Sequence, residues 1–145
     1  MKKKLPSIVV LLVAVCIIVW DPFDRPSERT GLTDPNNRVL ASAFESRQSG
    51  VPVAGKGIVI KVLPDDNDGN RHQRFILRLS SGQTLVIAHN IDLAPRLRAL
   101  KEGDAVAFNG QYEWNPQGGA VHWTHRDPKG RHPDGWLKHR GQTYQ

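Results

Sequence analysis

The chain has a single cysteine in 145 residues, which excludes an internal disulfide framework and a Cys-rich zinc ribbon. It has no phosphate loop, no dinucleotide-binding glycine fingerprint and no G-x-S-x-G elbow, so the chemistries those motifs carry have no footing here. Aromatic residues are only 7% and no internal repeat is visible. Apolar residues make up 39% and charged residues 23%, a composition poorer in apolar groups than average but not that of a disordered chain. Thirteen glycines and ten prolines favour turns and short strands and argue against a long-helix bundle. The net charge is +6. Residues 44–145 carry 14 basic and 10 acidic groups, a mild bias. It suits a polyanion partner but is weaker than the footprint of a dedicated nucleic-acid binder.

Lys2, Lys3 and Lys4 precede an uninterrupted apolar run over residues 8–20. Positive charge followed by a short apolar run is the signature of an export signal, and thirteen residues fall short of the roughly twenty that cross a bilayer. No small-x-small cleavage pattern closely follows Trp20, and Ala41-Ser42-Ala43 lies too far along. A cleaved signal and an uncleaved anchor both fit, and the missing cleavage pattern favours the anchor. Cys16 has Val15 before it rather than the small residue of a lipobox, and its place inside the run argues against thiol catalysis. With the basic residues kept inside, the rest of the chain is expected outside the cytoplasm, periplasmic or held at the inner membrane through residues 5–20.

The expected organisation is a signal or anchor over 1–20, a proline-dotted linker over 21–50 with one short helical turn around 39–47, and a folded domain over 51–145. Strand one is read over 57–63, strand two over 72–79, strand three over 83–89 and strand five over 120–124. Val106, Phe108, Tyr112 and Trp114 share one side of strand four, and Val121 and Trp123 point into the core from strand five. A helical turn is expected between strands three and four, with Pro95 limiting it, and a loop-rich tail after strand five. Five alternating strands with that spacing predict an all-β fold, a small OB-like barrel. An SH3-like barrel is the competitor, disfavoured by the long gap between strands three and four.

Several strings resemble those of a family of small bacterial exported proteins known only as a domain of unknown function. They are Leu63-Pro64-Asp65-Asp66, Arg71 to Phe75, His89 to Arg96, and Glu113-Trp114-Asn115-Pro116. The tail His122-Trp123-Thr124-His125-Arg126-Asp127-Pro128-Lys129-Gly130-Arg131-His132-Pro133-Asp134-Gly135-Trp136 is the most specific of them. The resemblance spans about residues 57–145 and implies a bacterial, exported domain. It carries no catalytic residue over to this chain.

Two constellations carry chemistry. His122, His125, Asp127 and His132 have the donor types that hold a divalent transition metal such as Zn, Mn, Fe or Cu. On a continuous strand positions 122 and 125 face opposite ways, so the metal reading requires the strand to end near Trp123. A bound metal or a histidine base would then serve phosphodiester hydrolysis, with Arg126 and Arg131 holding a phosphate. The alternative for these residues is a rigid tail whose His and Asp side chains bond backbone groups. His72, Arg74 and Arg78 form the second constellation, on the strand-two face where an OB barrel takes its ligands. Residues 65–70 fail the register of a calcium loop.

The leading expectation is a non-enzymatic extracytoplasmic module that binds an anionic polymer, nucleic acid or envelope polysaccharide. A metal-dependent hydrolase is the alternative, and an assembly partner using Trp136 and Tyr144 is the third.

Overall fold

The computed structural model describes residues 34–145. The anchor and the first part of the linker lie outside the described residues. Eight elements follow in order: α1 (Pro35–Glu45), β1 (Val51–Asp66), β2 (His72–Leu79), β3 (Thr84–Asn90), β4 (Ala105–Glu113), β5 (Ala120–His122), β6 (Trp136–His139) and β7 (Gln142–Tyr144). The protein is mostly β. Strands pair in the order β1-β2-β3-β5-β4-β6-β7, and β1 also pairs with β4. The first five strands therefore close into a ring-like sheet. Its closing contacts are the parallel β3–β5 pair and the antiparallel β1–β4 pair.

β1 makes this closure by its length. Val51 to Ile58 face β4, and Gly57 to Asp66 face β2, with a register shift between Val59 and Lys61. The strand starts six residues earlier than the pattern predicts, because its glycines are packing sites rather than breakers. A Cβ at Gly55 would press on the Phe108 ring. The sixteen residues thus serve two neighbours in turn.

Alternation fills the interior. β2 buries Gln73, Phe75, Leu77 and Leu79, and β4 buries Val106, Phe108, Gly110 and Tyr112. Leu85 and Ile87 from β3, Val121 from β5 and Val59 from β1 join them in the core. Each large apolar side chain removed from water contributes about 1.5–3 kcal/mol. Tyr112 stays inside because its hydroxyl donates to Gly118 O at 3.1 Å. Trp114 lies past the end of β4, half-buried, and its indole N–H donates to Phe44 O.

Of three local expectations, two need correction and one holds. The stretch from Pro35, read as linker with one helical turn, is an eleven-residue helix. Asp34 caps it by accepting from Asn36 N–H, proline occupies its first turn, and Leu40 and Ala43 enter the core. The helical turn expected between β3 and β4 is there, as a single closure from Ala94 N–H to Asn90 O that Pro95 stops. Asn90 Oδ1 holds it by accepting from Asp92 N–H and Leu93 N–H. The tail is not only loop. β6 adds Leu137 to the core, pairs with the first half of β4 and turns into β7.

β5 ends at His122, two residues before its predicted end, because Trp123 takes φ +56°. That left-handed conformation is unusual for a bulky residue. It breaks the alternation: Trp123, expected inside, is 36% exposed and Thr124 is buried instead, while His125 is buried as the alternation has it.

Candidate ligand surface

The strand break near Trp123 that the metal reading requires is present, yet the four residues are not gathered into a donor set. Among the described residues no group of three or more His, Cys, Asp or Glu is placed to hold a metal. Asp127 instead organises the loop. Its Oδ1 accepts from Lys129 N–H, and its Oδ2 from Arg131 N–H and His132 N–H. The Lys129 N–H does most to hold its carboxyl below the ordinary range; partial burial opposes this, and the Arg131 and His132 N–H groups add to the lowering. His125 is buried and its Nδ1 meets Arg126 O at 2.7 Å. His122 lies on the outer face of β5, where burial and the nearby His72 push its pKa down against the pull of Glu113.

His132 is the member that reaches a ligand-accessible place. Its ring stacks on Trp123 with centroids 4.1 Å apart and planes within 9°. Nε2 meets Gln111 Oε1 at 2.7 Å and Nδ1 meets Pro133 O at 3.0 Å. Gln111 is fixed in turn by donating to Glu113 Oε1. Beside this stack is a cleft of about 380 Å³ lined by Trp123, Asp127, Lys129, Arg131 and His132. Neither Lys129 nor Arg131 makes an ion pair among the described residues. Arg126 is exposed but does not line the cleft.

Gly135 makes this loop geometry feasible. A Cβ there would collide with the carbonyl oxygens of Trp123 and Asn109. Its N–H donates to His125 O at 3.0 Å, which ties the far end of the loop back under Trp123.

The strand-two residues divide between two places. Arg78 is exposed and lines a separate groove of about 560 Å³ with Lys56, Ile58 and Asp34. His72 and Arg74 sit towards the other end of β2, half-buried, with His72 Nδ1 on Asn70 O and Arg74 Nε donating to Pro64 O. Register joins this end to the tail. Arg74 pairs with Ala88, and Gln111 pairs with His122. One step past the Ile87↔Val121 pair brings Ala88 beside His122. Arg74, Ala88, His122 and Gln111 therefore form a row across four strands that ends at His132 and Trp123. The ring of His72 packs edge-on to that of His122, 6.4 Å away.

His89, not singled out by the sequence, is fully buried behind this row. Burial is the main cause that lowers its pKa to about 4, opposed by its bond to Pro95 O and reinforced by the neighbouring His125 and His72. It is therefore neutral, with Nε2–H donating to Pro95 O and Nδ1 accepting from the Thr124 hydroxyl. It bolts the end of β3 to the tail and has a structural role.

Nor does the sequence single out Trp123, Lys129 or Gln111 as site residues. The turn signal at residues 127–130 pointed to the strand break. The side on which Trp123 would land depended on one backbone angle.

A mostly-β chain with a closed five-strand ring and a basic, aromatic tail cleft is thus the class defined by these observations. The chain belongs to the family described as protein of unknown function (DUF3465), whose model matches residues 29–145. No curated protein matches it.

Proposed function

We propose that the chain is a non-enzymatic binding module that works outside the cytoplasm on an anionic polymer, nucleic acid or envelope polysaccharide. The observation that carries this reading is the cleft at Trp123. An exposed indole stacked on an imidazole stands beside two cations without ion-pair partners among the described residues. Aromatic platforms beside cationic side chains are how proteins hold extended polyanions. The row from Arg74 to Gln111 extends the surface beyond a single small ligand.

In this reading the ring is an OB-like barrel. Its support is the order β1-β2-β3-β5-β4 closing back on β1, with β3 and β5 parallel. Such barrels take ligands on the face of strands two and three, which the Arg74 row crosses. Export is supported by the basic start and the apolar run over residues 8–20. The hydrolase alternative, with His122, His125, Asp127 and His132 as ligands, lacks an assembled donor set among the described residues.

The test is a titration of the purified full chain with an oligonucleotide and with a polyuronate at low and high salt. The expected result is binding to at least one at low salt that weakens steeply as salt rises. No binding to either at low salt, or an affinity indifferent to salt, overturns the reading. A reporter fused to the C-terminus and found active in the cytosol overturns the export part alone.

A further inference from the structure

We propose that the Trp123 cleft accepts a single-stranded nucleic acid, with an unstacked base against the Trp123–His132 pair and backbone phosphates on Lys129 and Arg131. This rests on the binding-module reading and narrows its ligand.

The lining decides the chemistry. The side chains around the cleft are an indole, an imidazole, an ammonium and a guanidinium, with one carboxylate. Asp127 spends both carboxylate oxygens on three backbone N–H groups. Both imidazole nitrogens face protein oxygens, Gln111 Oε1 and Pro133 O, and a neutral ring donates its one N–H to one of them, so neither nitrogen is turned to the ligand. What is left for a ligand is π surface and cationic N–H donors. A sugar ring hydrogen-bonds through many hydroxyls, and three backbone N–H groups already take most of the acceptor capacity of the one carboxylate in the lining. A flat ring flanked by anionic oxygens matches the set, and a nucleotide unit has both. An acidic polysaccharide supplies the anion and can lay a C–H face on the indole, but it lacks the π face that makes base–aromatic stacking strong. Bases inside a duplex are stacked on each other and cannot reach the indole, so the strand must be single.

The backbone supports the same assignment. Trp123 holds a left-handed φ of +56° while 36% exposed. That angle ends β5 and turns the indole from the core side to the cleft, where it is within reach of a ligand. Among these side chains none is placed to read base edges, so the preference is for strandedness rather than sequence.

The test uses the full chain and a short oligothymidylate, followed by tryptophan quenching and by anisotropy of the labelled strand. Quenching that disappears in Trp123→Phe while anisotropy still reports binding is expected. Trp123→Gly, which suits the left-handed backbone, should bind about tenfold or more weakly, the scale of one lost base–aromatic stack. The double variant Lys129→Gln/Arg131→Gln should lower the salt slope by about 1.4, two single-strand phosphate contacts. A duplex or a polyuronate should compete about tenfold less well than the oligothymidylate. Equal competition by either, or unchanged affinity in Trp123→Gly, overturns the inference. Binding of polyuronate without oligothymidylate overturns it and leaves the binding-module reading standing; binding of neither removes both.

Discussion

The interior of the ring and the loop over residues 123–135 are held together by different physics. Inside, Phe75, Leu77, Leu85, Ile87, Val106 and Phe108 are at most 1% exposed and stabilise through area removed from water. The loop buries little. It is held by Asp127 across three backbone N–H groups, by Asp134 accepting from Asp127 N–H, and by Gly135 passing under Trp123. Burial is non-directional and tolerates small adjustments. The hydrogen-bonded loop depends on a few positions, and it is the region that faces a ligand.

The largest expected effects test this contrast directly. Phe108→Ala should cost about 3–5 kcal/mol in urea unfolding, the usual range for a buried phenylalanine. Gly135→Ala adds only a methyl group yet should approach that range, about 3 kcal/mol, because the backbone atoms it meets cannot move aside cheaply. If Gly135→Ala is nearly neutral, the loop is adaptable and the contrast fails.

Next is the seam between the two regions, where His89 bonds Thr124 and Pro95. Folded, it stays neutral down to about pH 4; unfolded, it takes up a proton near 6.5. Between those values the unfolded chain binds more protons, so stability is fully present above pH 6.5 and falls as pH drops towards 4. The loss is roughly 3 kcal/mol over that window. Urea midpoints measured across it should show the decline, and His89→Gln should flatten it. A wild-type profile that is already flat would mean that His89 is not neutral in the fold.

How far each region was legible in the sequence follows from the same contrast. β2 was read at its observed bounds, and the inward side of β4 was read correctly at Val106, Phe108 and Tyr112, because period-two alternation records burial. α1 was reduced to one turn because Pro35, Asn36 and Asn37 look like loop residues. Proline in the first turn and Asp34 as cap make the same residues a helix start. The β-branched run shows β1 only from Gly57, and its first six residues are hidden by Pro52 and Gly55, which read as punctuation unless the Phe108 ring packed on Gly55 is known. β6 and β7 were missed since runs of three or four residues carry too little pattern. At the candidate site, residue types were legible and placement was not. His132 and Arg131 were singled out and do meet at the cleft, but Trp123 was assigned to the core by extending the Val121 alternation through a residue that breaks it.

A smaller effect is expected at the loop's organising carboxylate. Asp127→Asn keeps the size but removes the charge and turns one accepting oxygen into an NH2 donor, so hydrogen exchange at the amides of Lys129, Arg131 and His132 should speed up while the amides of β2 stay protected. Because the folded pKa of Asp127 is lowered, its contribution is present above the ordinary carboxylate range and disappears as pH falls through the folded value. Acidification should therefore loosen the same amides in the wild type. Faster exchange spread evenly over the ring would show that the loop and the interior unfold as one unit.

The smallest change in stability is expected where the ligand effect is largest. Trp123→Gly removes a bulky residue from a left-handed conformation, which relieves about 1–2 kcal/mol. It also deletes the stack on His132 and the tilted contact with His125, 5.6 Å away between centroids. Aromatic pairs of this kind contribute about 0.5–1.5 kcal/mol each beyond their buried area, and the indole, only 36% exposed, also loses the burial of the rest of its surface. The loss therefore outweighs the relief, and the variant should unfold about 1–3 kcal/mol below wild type, short of the about 3–5 kcal/mol that truncating a core tryptophan costs. Weakened oligonucleotide binding by a variant that stays folded would mean that Trp123 serves the ligand as well as the loop; unchanged binding would leave it a packing residue alone.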